Sequence, residues 1–218
     1  MEKTPFELRT DALAQRVVKN LQRRAFEAYY CPTKEEALDK ALSLIDKQQC
    51  VSWGGGMTLE EMGLLDVLRT QGYNVIDRDT AKNQEEKMEL LRRALTCDTF
   101  LMSTNAMTED GVMVNIDGTG NRVAAMVFGP KSVIVIAGIN KVVKSYEDAV
   151  ARARNYAAPI NVQRFASFNP PCKNNGHCYN CVAPDSICNF ILTTRKGSVM
   201  NAKQPRIKVI LVGENLGY

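Results

Sequence analysis

Apolar residues recur at helical spacing through Leu8, Ala12, Val17, Val18, Leu21 and Ala25, which predicts a helix from Leu8 to Tyr29. A second helix is predicted after Thr33. Thr33 and Glu36 stand in the Thr-x-x-Glu relation of a capping box, and Ala37, Leu38, Ala41, Leu44 and Ile45 form an apolar stripe. The period then changes. "CVSW" (Cys50–Trp53) reads as a short buried strand that runs into Gly54-Gly55-Gly56. Thr58 and Glu61 repeat the Thr-x-x-Glu relation, so a helix is expected to start directly after the glycines and to stop near Gly72. "YNVID" is the next strand and "KNQEEKMELLRRAL" the next helix. "DTFLMS", "GVMVNI", "NRVAAMVFG" and "SVIVIAG" follow as strand candidates. Ser145 with Asp148 opens the helix "YEDAVARARNYA", and "NFILTT" and "RIKVILVG" are two closing strands.

Strands alternating with helices imply an α/β domain with a largely parallel sheet. The strands crowded between residues 98 and 143 imply an antiparallel or mixed portion. Neither an internal repeat nor a low-complexity linker interrupts the chain. The simplest organisation is an N-terminal helical segment, residues 1–48, packed on one α/β domain, residues 49–218, that includes a cysteine-rich loop at 171–189.

Composition narrows the class only a little. The chain of 218 residues is 45% hydrophobic and 24% charged, enough for a sizeable core, and its formal charge of +4 is mild. Arg23-Arg24 and Arg92-Arg93 sit in helical patterns with acids nearby, which describes a solvated face and gives no support to nucleic-acid binding. No run approaches the ~20 apolar residues of a membrane span, and the N-terminal stretch lacks a signal-peptide core. A cytoplasmic, reducing location is therefore expected, where seven cysteines do not form a disulfide framework.

Chemistry is concentrated in three places. The first is "SWGGGMTLEEMGLLDVL", a strand ending in glycines before a helix, where main-chain N–H groups bind phosphate or carboxylate. No Lys-Ser/Thr pair follows, so it is not a Walker A loop, and it lacks the dinucleotide fingerprint. Gly54, Gly55, Gly56 and Thr58 are the expected contacts, against the alternative of a plain tight turn.

The second is the polar turns between Ser103 and Val143, which carry Glu109, Asp117, Asn121, Arg122, Lys131, Asn140 and Lys141. A turn that only reverses the chain needs Gly, Asn or Asp, not these cations. Arg122 offers a fork of donors for an anion and the lysines offer point charges. If these turns share a sheet edge with the glycines, they complete a pocket for an anionic small molecule; if not, they are ordinary hairpin turns.

The runs "TEDGVMVNIDGTGNRVAAMVFGPKSVIVIAGINKVV", "GGGMTLEEMGLLDVL" and "RIKVILVGENLGY" closely resemble the LUD domain of lactate-utilisation proteins, over nearly the whole chain. The resemblance implies a three-layer α/β fold with a mostly parallel mixed sheet, of the kind shared by ribose-phosphate isomerases and CoA-transferases. It further implies membership of an iron–sulfur complex that oxidises L-lactate to pyruvate, with iron–sulfur partner subunits. A homo-oligomer is a further option. The acid and lysine motifs of the phosphosugar enzymes are matched only loosely, by Asp117 and Lys141, so isomerase activity does not carry over.

The third is "PCKNNGHCYNCVAPDSICNF". Cys172, Cys178, Cys181 and Cys188 have the spacing C-x5-C-x2-C-x6-C in a polar, turn-rich filling suited to a loop wrapped around a metal. Four thiolates suit zinc or an iron–sulfur cluster, and spacing alone does not choose. The resemblance leans to the cluster, and free thiols or a disulfide pair are the other readings. His177, the only histidine, could replace one ligand, and its solitude excludes a Ser-His-Asp or Cys-His mechanism elsewhere. Cys31, Cys50 and Cys97 lie in or beside apolar segments and are expected in the core. The functions in contention are a redox enzyme subunit, a non-catalytic metabolite-binding subunit with structural zinc, and an isomerase- or CoA-transferase-like enzyme.

Overall fold

Ten strands and nine α-helices alternate along the chain in a computed structural model that describes residues 2–198, 200 and 204–218. Six strands build the main sheet: β1 (Glu27–Cys31), β2 (Cys50–Trp53), β3 (Asn74–Ile76), β4 (Thr99–Met102), β7 (Ser132–Gly138) and β10 (Ile207–Val212). Their order is β1-β10-β7-β4-β2-β3, and every pair is parallel.

Both faces of this sheet are covered, so its strands read as continuous apolar runs. Side chains alternate between two cores. Phe100, Met102, Val133, Val135, Val209 and Leu211 pack with α1 (Pro5–Arg23), α5 (Gln84–Ala94) and α6 (Asn121–Val127). Leu101, Ile134, Ile136, Ile210 and Val212 pack on the other side with α2 (Lys34–Ser43), α3 (Met57–Glu61) and α4 (Leu64–Thr70). Each such fully buried side chain contributes about 1.5–3 kcal/mol, which makes the doubly covered centre of the sheet the stable frame on which the loops are mounted. The result is the expected three-layer α/β architecture.

The expected mixed portion is a second sheet of β8 (Val142–Val143), β5 (Ala106–Thr108), β6 (Met113–Asp117) and β9 (Phe190–Thr194), in that order. β5 and β8 are parallel, while β6 runs antiparallel to both β5 and β9. Helix α7 (Tyr146–Arg152), opened by the expected Ser145–Asp148 capping box, packs Ala149 against Ala106, Val114 and Ile116. Two short helices follow, α8 (Ala158–Asn161) and α9 (Pro171–Asn175).

Three local expectations are corrected. The first helix stops at Arg23, because Ala25 takes a left-handed φ of 59° that no glycine or proline announces. Phe26, Ala28 and Cys31 then enter the core from an edge strand that joins residues 1–48 to the sheet through β10. "NRVAAMVFG" is a helix, not a strand. The Asp117 carboxylate accepts from the N–H groups of Thr119 (3.1 Å) and Gly120 (2.9 Å), and Gly120 at φ 91° launches α6 with Val123, Ala125 and Met126 turned inward. Short apolar runs cannot be told apart by periodicity alone. Finally, the helix after the glycines breaks at Gly63, φ 70°, and Thr58 does not cap it: Gly56 is the N-cap, and Thr58 lies fully buried inside the first turn.

Candidate functional site

Parallel strands bring their C-terminal ends to one edge, where ligands of open α/β sheets bind. Here that edge presents Gly54–Gly56 after β2, Asp77 and Arg78 after β3, Ser103 and Thr104 after β4, and Lys141 after β7. The second sheet faces it with Asp117–Thr119, Asn121 and Arg122, and residues 184–187 and Asn189 of the cysteine-rich segment complete the wall. Between them lies a cleft of about 580 Å³.

Of the residues singled out from sequence, Gly55, Gly56, Asp117, Asn121, Arg122 and Lys141 line this cleft. Gly54, Thr58 and Asn140 stand behind it. Gly54 donates its N–H to the Leu101 carbonyl at 2.9 Å and lies under Arg122. Asn140 binds the C-terminal tail, donating to the Gly217 carbonyl (3.0 Å) and accepting from the Leu216 N–H (3.2 Å). Lys131 is a correction. It precedes the first residue of β7, at the opposite edge of the sheet, where it is exposed and pairs with Asp98 at 2.7 Å. Glu109 is likewise engaged elsewhere, with Arg16 and Lys144.

Arg122 does not offer the open fork that the sequence suggested. One terminal nitrogen donates to the Ser103 carbonyl (3.1 Å) and Asn115 Oδ1 (2.7 Å), and the other to Asn105 Oδ1 (3.1 Å) and the Ile116 carbonyl. Its Nε faces Asp117 at 3.4 Å. All its donors are committed, so Arg122 ties the two sheets together and contributes its charge through space.

Arg78 was missed, although it follows the end of a predicted strand as Gly54 does. Arg69 holds Asp77 at 2.8 Å, and Asp77 also accepts from the Asp79 N–H at 2.8 Å. This fixes the short 3-10 turn from which Arg78 lies across Gly55, where an added Cβ would stand 2.7 Å from Nη2. The buried Nε of Arg78 forms an ion pair with Asp79 at 3.5 Å but no hydrogen bond. Lys87 and Arg164 also border the cleft, Arg164 pairing with Glu60 at 3.3 Å. Four permanent cations (Arg78, Lys87, Arg122, Arg164) thus line the cleft with Lys141, against two carboxylates in the lining (Asp117, Asp185), while Asp79 and Glu60 pair with Arg78 and Arg164. The positive potential comes from these side chains and not from α3, a five-residue helix whose dipole is slight.

Lys141 is 3% exposed. Its Nζ donates to Thr58 Oγ1 at 2.9 Å and Ser103 Oγ at 3.0 Å. Burial, then the nearby Arg152 and Arg122, push its ammonium down to about 7, against a smaller opposing pull from Glu61.

The four thiols of the cysteine-rich segment line one cavity of about 60 Å³, together with Ile116, Ser186 and Ile187, which also border the cleft. His177 is exposed, edge-on to Tyr179 at 5.3 Å, and does not line the cavity. Burial first, then the neighbouring sulfurs, push the Cys188 thiol up to about 11. Four cysteines around one space are the donor set that zinc and iron–sulfur clusters take. The donor set therefore fits a thiolate-bound metal. Among the described residues, however, no three Cys, His, Asp or Glu side chains converge on a single ion. A tetrahedral zinc draws its sulfurs to about 3.8 Å from one another, given a Zn–S bond of about 2.3 Å. Of the other cysteines, Cys31 and Cys97 are buried and Cys50 is partly so.

Among the described residues no helix is long and apolar enough to cross a membrane. A search of curated proteins returned no match to this chain. Its fold is similar to the crystal structure of a DUF162 family protein from Deinococcus radiodurans, with TM-score 0.52 and 12% identity over 93% of this chain and 98% of that one. A weaker similarity, TM-score 0.33 at 16% identity, links 66% of the chain to 57% of eIF2B delta from Chaetomium thermophilum and is too slight to carry an argument. The LUD domain matches residues 14–212, from α1 through the last strand of the main sheet, and the chain belongs to the LUD domain family.

Proposed function

We propose that this chain is a lactate-utilisation protein, a subunit of an iron–sulfur complex that oxidises L-lactate to pyruvate, and that its cleft holds a small anionic substrate or cofactor. Family membership supports the lactate context. The observation that carries the anion-binding part is the excess of cationic over carboxylate side chains lining the cleft. A carboxylate or phosphate there would accept from Arg78 and be drawn in by Lys87 and Arg164, while Lys141 at the floor supplies a group able to give or take a proton near neutral pH.

Cys172, Cys178, Cys181 and Cys188 would hold an iron–sulfur cluster, which supplies one-electron transfer when bound. The lactate context of the family favours the cluster over zinc. Protein prepared without oxygen is expected to contain iron and sulfide and to show visible absorbance that dithionite bleaches and Cys178→Ser removes. A colourless preparation carrying zinc would replace this reading with the metabolite-binding subunit. For the cleft, lactate, pyruvate and phosphate are expected to raise the melting temperature, and Arg78→Ala to abolish the rise. No rise with any of the three would remove the cleft from the proposal.

A further inference from the structure

Anion binding leaves one feature of the cleft without a purpose. A cation recruited only to attract anions is better placed on the rim, where water stabilises its charge. Lys141 is instead sunk in the floor beside two guanidinium groups, and its Nζ hydrogen bonds go to two hydroxyls. Among the described residues no carboxylate forms an ion pair with it. Desolvation and like charge both favour the neutral amine, the form in which lysine is a nucleophile. The alternative, a structural tie to Thr58, is weakened because Thr58 Oγ1 also lies 3.3 Å from the Leu216 carbonyl and 3.2 Å from Ser103 Oγ, so the hydroxyl is satisfied without the lysine.

We infer that Lys141 forms an imine with the carbonyl group of a small acid that carries an aldehyde or ketone beside its anionic group. This rests on the anion-cleft reading and names the substrate class it takes. The acid group is held by Arg78 and the rim cations, which turns the carbonyl carbon toward the floor. The Nζ lone pair attacks that carbon, a C–N bond forms, and the C=O π pair moves to oxygen, which takes up a proton. The resulting carbinolamine loses its hydroxyl, with a second proton, as water, while nitrogen gives up a proton and forms the C=N bond. No electrons are gained or lost overall. The hydroxyls of Ser103 and Thr58, at 3.0 and 2.9 Å from Nζ, stand where they can relay these protons. The protonated imine then serves as an electron sink for the adjacent carbon.

The test is reductive trapping on the full chain. Protein is incubated with pyruvate or glyoxylate in the presence of cyanoborohydride, then analysed by intact mass and peptide mapping. One added reduced adduct is expected, confined to the Lys141 peptide, absent with lactate, and lost in Lys141→Arg and Lys141→Met. Trapping should increase as pH rises through neutrality. If the variants do not fold, the peptide map of the unaltered chain decides alone. Absence of label at Lys141, or label spread over the surface lysines, overturns the imine. Parallel melting curves with lactate and phosphate separate the two readings. Stabilisation without an adduct overturns the imine and leaves the anion cleft standing, whereas neither stabilisation nor an adduct overturns both.

Discussion

Arg122 lies across Gly54 so closely that a Cβ added to the glycine would stand 2.9 Å from Arg122 Cδ and 3.0 Å from Cγ. A flexible side chain would ordinarily swing aside. This one cannot, because its guanidinium donates to Ser103, Asn105, Asn115 and Ile116 and pairs with Asp117. Gly54→Ala is therefore expected to destabilise the fold by about 1–3 kcal/mol, the usual cost of overpacking. Chemical denaturation measures it, and a change within about 0.5 kcal/mol, as at an ordinary surface site, would show that the arginine moves freely.

The same relationship predicts that Arg122 acts on folding before it acts on ligands. Arg122→Met would leave the buried Asp117 without its cation and several acceptors unpaired. The expected loss is about 3–5 kcal/mol, that of breaking a buried pair from one side. By contrast, Arg78→Ala removes a guanidinium that lines the cleft and pairs with the exposed Asp79, so it should weaken anion binding while shifting stability by about 1 kcal/mol or less. Equal stability losses in the two variants would remove the distinction drawn between a tie and a ligand contact.

Lys141 gives stability a pH dependence of definite sign. Below pH 7 its ammonium is charged in both folded and unfolded chains, and the cost of burying it is fully present. Between about 7 and 10.5 the folded chain holds the neutral amine while the unfolded chain still binds a proton, so stability rises with pH. The limit of the effect is on the order of 5 kcal/mol, from a shift of 10.5 − 7 at 1.36 kcal/mol per unit. Lys141→Met lacks this term, and subtracting its pH profile cancels the titration of other groups. The stability of the parent relative to the variant should increase from pH 6 to pH 9, with Arg122, Arg152 and Glu61 common to both chains. A difference independent of pH would mean that the lysine keeps its ordinary proton affinity.

Much of this site could be read from the chain because strand ends carry chemistry in α/β sheets, and Gly55, Asp117 and Lys141 all follow strands. What the chain does not state is direction at the sheet edge. Lys131 and Lys141 both flank β7, but one precedes it and the other follows it, and only the second reaches the cleft. A strand at "NRVAAMVFG" makes Arg122 an open fork, whereas the helix that forms there brings it among acceptors that consume its donors. Nothing in the residues after "YNVID" marks Arg78, because the turn that places it is set by Arg69 clamping Asp77. In each case the missing information is tertiary, a strand's direction or a side-chain hydrogen bond, which periodicity does not encode.

The thiol loop and the cleft share a wall, so their occupancies should be linked. Ile116, Ser186 and Ile187 border both spaces. The loop is fastened to the Asp117 turn: Asn189 donates its N–H to the Asp117 carbonyl at 3.1 Å and its Nδ2 to the Gly118 carbonyl at 2.9 Å. Gly118 packs beneath Ile187, whose carbonyl would lie 3.3 Å from an added Cβ. Drawing the four sulfurs onto a metal fixes the backbone between Cys181 and Cys188, and with it Ser186 and Ile187. Without the proposed metal that wall would be free while the anchors at Asn189 remain, so binding should weaken and not vanish. A coupling of about 1 kcal/mol, roughly fivefold in affinity, is expected between metal-loaded and chelator-treated protein. Titration calorimetry with phosphate on both forms measures it, with Cys188→Ser expected to match the stripped protein. Equal affinities in all three would mean that hydrogen bonds alone hold the wall in place and that the metal serves only its own chemistry.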